Sequence, residues 1–261
     1  MTRKYLVTGS ASGIGLATAS RLREEGHTVI GVDIAGAEIN ADLSTAEGRA
    51  ELVAQATALS DGVLDGVIAV AGLVAPKPVT VAVNYFGAVA TLEGLRPLLA
   101  ASTAPRAAVV ASLAALEDVD DRLLQLLEAG DEAAALAHAD ALGATANAAG
   151  SSVLYTTSKL AVARWVRRAA PTAPWAGDGI ALNAIAPGVI ETPMTKAALE
   201  TEEGRKALDE GAPAPFNGPA APPTAPAALL DWLTSADNAY VTGQVVFIDG
   251  GAEAIRRPEL V

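Results

Sequence analysis

Thr8-Gly9-Ser10-Ala11-Ser12-Gly13-Ile14-Gly15 follows the apolar run Tyr5-Leu6-Val7 and leads into apolar residues at helical spacing, Ile14, Ala17 and Leu22. This reads as strand, glycine turn, helix. One glycine permits the tight turn, one lets the main chain approach a pyrophosphate, and one lets the helix pack on the strand. A helix that starts there aims its free N–H groups and positive dipole end at phosphates. Gly9, Ser12, Gly13, Ile14 and Gly15 are therefore candidate dinucleotide contacts. A second strand over residues 27–32 ends at Asp33, about 20 residues past the glycines, where an acid takes the adenosine ribose hydroxyls. Its charge repels a 2′-phosphate, and no Arg or Lys lies in the turn or beside Asp33. The cofactor expected is NAD rather than NADP.

The chain has 261 residues, 51% hydrophobic and 18% charged, which suits one large α/β domain with a substantial core. With no cysteine, disulfides and thiolate metal sites are closed to it. His27, behind Gly26, and His138, in an Ala-rich segment, are isolated, read as solvent-exposed, and make no metal site. A net charge of −12 disfavours a polyanionic partner such as nucleic acid. No apolar run is long enough to span a bilayer and the N-terminus does not read as a secretion signal, so a cytoplasmic protein without a membrane partner is expected.

Strand and helix patterns alternate along the chain, which predicts a Rossmann-type doubly wound parallel sheet of about seven strands, with helices on both faces. After Asp33 come a short segment at 38–42 and a helix over 44–59, with Ser44 as N-cap and Glu47 completing a capping box. A buried strand at 67–72 is followed by a long helix, 79–99, that carries Asn84, and by a strand at 107–111 ending at Ser112. The alternation breaks at about 113–150. There Val119, Leu123, Leu126 and Leu127 mark an amphipathic helix, Gly130-Asp131 a turn, and 132–142 a second, Ala-rich helix. A helix over 152–169 stopped by Pro171, a strand at 180–185, a helix at 225–234 and a strand at 244–248 complete the pattern. Residues 192–226 read as a long substrate loop rich in Pro, Gly and Ala, with a polar helical piece at 195–208.

Tyr155-Thr156-Thr157-Ser158-Lys159 places a phenol and an amine on one helix face at i and i+4. A phenol with a pKa near 10 is too weak an acid for neutral proton transfer, and a nearby ammonium lowers that value by stabilising the phenolate. The pair therefore suits general acid–base work, and the amine can also donate to nicotinamide ribose hydroxyls.

Taken together, the Thr8/Gly9/Gly13/Gly15 turn and the Tyr155/Lys159 pair resemble the short-chain dehydrogenase/reductase family, over essentially the whole chain. The resemblance implies a catalytic Ser at the end of the fifth strand, Ser112, beside Tyr155 and Lys159. It implies that Asn84, in Val83-Asn84-Tyr85-Phe86-Gly87, anchors a proton-relay water. It implies that Asp42 and Leu43 contact the adenine and that Pro187, Gly188, Val189 and Thr192 hold the nicotinamide end. Where the family has Asn-Asn-Ala-Gly after the fourth strand, this chain has Ala69-Val70-Ala71-Gly72; the Asn side chains are missing, but the backbone role of Ala71 and Gly72 survives. Ser112 stands between Ala111 and Leu113 rather than in a Ser-Ser pair.

Within the family, Asp33-Ile34, residues 41–49, Leu127-Glu128-Ala129-Gly130 and the helical insertion resemble a branch acting on hydroxysteroids and other bulky carbonyl compounds. This implies hydride exchange with a hydrophobic secondary alcohol or ketone such as a 3α-hydroxysteroid. Leu116, Met194, Leu199 and Phe216 are apolar candidates for its recognition. The insertion is expected to obstruct the family's usual helix-bundle contact and favour a homodimer over a homotetramer. Two alternatives stay open: the same chemistry on a terpene, sugar or acyl ketone, and a non-catalytic NAD-binding sensor.

Overall fold

The computed structural model describes residues 2–147 and 151–260. Strands β1 (Lys4–Thr8), β2 (Thr28–Asp33), β3 (Ile39–Asn40), β4 (Gly66–Ala69), β5 (Arg106–Val110), β6 (Ala181–Pro187) and β7 (Val245–Ile248) form one sheet in the order β3-β2-β1-β4-β5-β6-β7. Every pairing is parallel, so both faces must be covered. The strands show it residue by residue. Leu6, Val67, Ala69, Val109 and Leu182 pack into one core, while their neighbours Tyr5, Val7, Ile68, Val110 and Ile185 pack into the other. That two-sided burial is why the strands read as continuous apolar runs.

Helices α1 (Gly13–Glu24) and α10 (Thr224–Thr234) cover one face. On the other lie α2 (Ala46–Leu59), α4 (Ala88–Ala100) and α7 (Val153–Ala169). The N-cap of α2 is Thr45, one residue beyond the expected Ser44. Gly48 N–H donates to Thr45 Oγ1 at 3.0 Å, while Ser44 gives its N–H and hydroxyl to Asp42 at 2.9 and 2.6 Å. Asp42 is the stronger acceptor and claims Ser44, so the helix starts one residue later; Glu47 remains in its first turn, at the positive dipole end.

The expected helix at 79–99 is a rod of three parts: α3 (Val79–Val81), a π-helical turn (Ala82–Gly87) and α4. A π turn carries one extra residue and marks functional positions more often than chance; this one holds Asn84.

The insertion consists of α5 (Asp121–Ala129) and α6 (Glu132–Leu142), as the pattern predicted. Asp120 caps α5 by accepting from Leu123 N–H at 2.6 Å, Gly130 ends it in the left-handed region, and Asp131 caps α6. Leu123, Leu124, Leu126 and Leu127 bury the apolar stripe of α5, each contributing roughly 1.5–3 kcal/mol. Glu128 receives Arg164 and Arg168 of α7 at 3.4 and 2.9 Å, and Glu132 pairs with Arg49 of α2 at 2.7 Å. The expected end of the insertion, Gly150, lies outside the described residues.

Both histidines depart from the solvent-exposed reading. Each is half-buried, because each lies where a chain end needs a polar partner. His27 Nδ1 accepts from Arg3 N–H at 3.2 Å with its ring on Tyr5, and His138 Nε2 lies 2.9 Å from the capping Asp120 carboxylate. In the stretch 192–226 the polar helical piece expected at 195–208 is present as two helices. It forms α8 (Lys196–Leu199) and α9 (Glu202–Gly211), neither of which buries a residue, and Ile190 bridges to Ala221. Helix α11 (Ala252–Arg256) follows β7. Among the described residues no helix is long and apolar enough to cross a membrane.

Candidate active site

Because β2 and β3 run off one side of β1, and β4 to β7 off the other, the chain reverses direction between β1 and β4. A crevice forms outside the carboxyl ends of the strands at such a point. A cleft of about 580 Å³ lies there, built from the segments that follow β1, β4, β5 and β6.

The glycine turn forms one wall. Gly9 and Gly13 have φ of +68° and +51°, and a Cβ on Gly9 would stand 3.0 Å from the Ala71 backbone. A Cβ on Gly15 would meet the Gly9 carbonyl. Only glycine fits these close approaches. At the start of α1, Ser12 makes no side-chain cap and the first turn holds no acid. The N–H groups of that turn therefore stay available to an anion. Thr8 Oγ1 accepts from the N–H groups of Val70 and Ala71, both at 3.0 Å, and so ties the β4 loop to the glycine turn.

An adjoining pocket of about 170 Å³ shares Gly9, Ser12, Ala71 and Gly72 with the cleft and adds Asp33, Asp42 and Leu43. Ala11 N–H donates to Asp33 Oδ2 at 3.0 Å and Ile34 N–H to Oδ1 at 2.7 Å. Ser44 holds the Asp42 carboxyl below its ordinary pKa through the two hydrogen bonds above. The pocket lining has two carboxylates and no basic side chain.

In the main cleft, Ser112, Tyr155 and Lys159 converge. Ser112 begins a one-turn 3-10 helix (Leu113–Leu116), accepting from Ala114 N–H at 3.1 Å. Its hydroxyl also acts as hydrogen-bond partner to the Tyr155 phenol and favours the ionised form. Lys159 Nζ donates to the Val110 carbonyl at 2.8 Å and stands 5.8 Å from the centre of the Tyr155 ring. Burial pulls Lys159 down to about 8. For Tyr155 the direction is opposite to the one expected from the Lys pairing. Burial raises its pKa first of all, Ser112 offsets part of that, and the Glu117 carboxylate adds to it. The amine stands over the ring and gives its hydrogen bond to the Val110 carbonyl.

Asn84 lies behind the cleft wall. Its Oδ1 accepts from Leu73 N–H at 2.9 Å, and its Nδ2 donates to the Leu73 carbonyl at 3.0 Å and to Ser158 Oγ at 3.3 Å. A Cβ on Gly72 would stand 3.1 Å from Asn84 Oδ1 and 3.3 Å from Lys159 Nζ, so one glycine separates the two side chains.

Pro187, Gly188 and Thr192 line the far end, where Ile190 stands in the wall rather than Val189, whose carbonyl accepts from Ala221 N–H. Leu73, Val74, Val110, Pro193 and Met194 also line the cleft and were not among the cofactor candidates. Of the four apolar candidates for substrate contact, Met194 lines the cleft; Leu116, Leu199 and Phe216 do not.

Fold and site together define a dinucleotide-dependent oxidoreductase. The chain belongs to the short-chain dehydrogenase/reductase family. A family model described as "Enoyl-(Acyl carrier protein) reductase" matches residues 9–253. The chain is 38% identical over 258 residues to 3-alpha-hydroxysteroid dehydrogenase/carbonyl reductase of Comamonas testosteroni, covering 97% of each. It is 30% identical to cis-4-hydroxycyclohexanecarboxylate dehydrogenase of Sinomonas cyclohexanicum, again over 97% of each. The crystal structure of the 3-alpha-hydroxysteroid dehydrogenase from Pseudomonas sp. B-0831, complexed with NADH, matches with a TM-score of 0.87 at 36% identity. That match covers 99% of this chain and 100% of the other.

Proposed function

We propose that the protein is an NAD-dependent dehydrogenase that interconverts a secondary alcohol and a ketone on a bulky hydrophobic substrate, a 3α-hydroxysteroid being the first choice. The observation that carries this reading is the convergence of Ser112, Tyr155 and Lys159 at the end of a cleft whose other end is a glycine turn with free helix N–H groups. NAD fits the residues present: the turn of Gly9, Gly13 and Gly15 for the pyrophosphate, Asp33 for the adenosine ribose, and a second pocket without basic side chains.

Bound nicotinamide would supply the carbon that exchanges hydride with the substrate. The chain's own residues handle the proton. In oxidation Tyr155, as phenolate, accepts the alcohol proton; in reduction its hydroxyl returns it. Ser112 donates to the substrate oxygen as charge develops there, a contribution of a few kcal/mol for one well-placed donor. Lys159 passes the proton toward solvent, and Asn84, across Gly72 from its amine, anchors the water that relays it.

The apolar walls Leu73, Val74, Ile190 and Met194 favour a hydrophobic ketone, and the likeness to two 3-alpha-hydroxysteroid dehydrogenases supports a steroid. By the same reading the protein is cytoplasmic, and it is a homodimer because α5 packs on α7, with Glu128 receiving Arg164 and Arg168. The test is absorbance at 340 nm with NAD and NADP against a panel of 3α-hydroxysteroid, terpene, sugar and acyl alcohols. Turnover with NAD and the steroid is expected; turnover only with the sugar or only with NADP would overturn the assignment.

A further inference from the structure

We propose that Glu117 is a positioning residue that sets the acidity of Tyr155 from the far end of the Ser112 turn, and that Arg256 of the C-terminal helix counterbalances it. This rests on the reading of Tyr155 as the acid–base group.

Three hydrogen bonds tie Glu117 and its neighbours to the Ser112 turn and to the residues that follow Tyr155. Its N–H donates to the Ala114 carbonyl at 3.1 Å and closes the same one-turn helix that Ser112 opens, so Ser112 and Glu117 are the two ends of one rigid unit. The next residue, Asp118, accepts at its carbonyl from Thr156 Oγ1 at 3.0 Å, and Asp120 N–H donates to Thr157 Oγ1 at 3.0 Å. Both partners directly follow Tyr155 in α7. The carboxylate itself is largely buried, its side chain 13% exposed. Asn147 Nδ2 donates to Glu117 Oε2 at 3.1 Å, and the Arg256 guanidinium lies 3.8 Å from Oε1.

Among the described residues, the Glu117 charge acts on the phenol from the turn, Lys159 stands over the ring from its own helix, and Arg256 pairs with Glu117. A fixed negative charge opposes ionisation of the phenol, and burial weakens the screening between them. Glu117 thus favours the protonated phenol that ketone reduction uses, and Arg256 moderates that bias. Because Arg256 sits in α11, behind the Asp249 that packs on Gly188, the C-terminal helix has an electrostatic route to the proton-transfer group.

The test is the pH dependence of kcat for alcohol oxidation in the full-length enzyme. Glu117→Gln keeps the shape and the Asn147 contact; it should move the rise in kcat to lower pH by on the order of half a unit. Arg256→Gln should move it to higher pH. Opposite shifts are not produced by a structural role, which would lower activity without moving the profile. A profile unmoved by either substitution, or moved the same way by both, overturns the inference, and Arg256→Gln alone decides if Glu117→Gln does not fold. Tyr155→Phe serves as control. If it keeps turnover, the reading of Tyr155 fails; if it is inactive and the profiles stay put, only this inference fails.

Discussion

Lys159 stands over the face of the Tyr155 ring, its Nζ 5.8 Å from the ring centre, with its hydrogen bond given to the Val110 carbonyl. The spacing of the two residues on α7 explains why they meet. It does not explain the electrostatics, because burial acts on both: the phenol is pushed up from its ordinary value and the amine down to about 8, which sets the two groups apart. Such opposed shifts mark acid–base sites rather than surface pairs.

Lys159 should therefore cost stability. Its folded-state value of about 8 lies below the ordinary 10.5, so between these the unfolded chain binds more protons and the group's contribution to stability rises with pH. Below pH 8 the buried charge costs on the order of 3 kcal/mol, of which the lost Val110 hydrogen bond would take back about 1 kcal/mol. Lys159→Met should unfold at higher urea concentration than the parent at pH 7, with the gap closing as pH rises toward 10.5. A variant less stable than the parent at pH 7 contradicts this.

Ser112 has two partners, Ala114 N–H and the Tyr155 phenol, and it is the group that lowers the Tyr155 pKa. Ser112→Ala should reduce kcat by about 100-fold and move the pH dependence of oxidation upward. Steady-state kinetics between pH 6 and pH 10 (roughly the window between the ordinary His and Tyr values) check both effects, and an unshifted profile would detach Ser112 from the phenol.

Asp33 joins β2 to the glycine turn through Ala11 N–H and contributes its charge to a pocket without basic residues. Asp33→Ser should raise the NAD KM about tenfold, equivalent to ~1.4 kcal/mol, and admit NADP. Comparing kcat/KM for the two cofactors checks the claim; unchanged preference would move the discrimination elsewhere.

The parts of this site that were legible in the sequence are those encoded by local spacing. The glycine turn, Asp33 and the Tyr155/Lys159 pair each follow from a few neighbouring residues, and α5 announced itself through its leucine stripe. What depended on tertiary contact was not legible. The carbonyl that holds Lys159 comes from β5, and the carboxylate that acts on Tyr155 lies 38 residues earlier in the chain, at Glu117. Neither has a sequence signature. Helices α8 and α9 bury no residue, so no core stripe marked the break between them within the polar helical piece read at 195–208, and Thr45 displaced Ser44 as a cap because Asp42 outcompetes the helix for Ser44. His138 looked solvent-exposed because its partner, Asp120, belongs to another helix end.

The central claim is that the Tyr155 hydroxyl carries the proton while the glycine turn and its pocket hold the cofactor. The direct measurement is Tyr155→Phe, assayed for NADH formation at 340 nm beside NAD binding by calorimetry. Turnover should fall at least about 1,000-fold, the upper part of the range for loss of a general acid–base group, with NAD affinity within about threefold of the parent. Turnover retained near the parent level contradicts it.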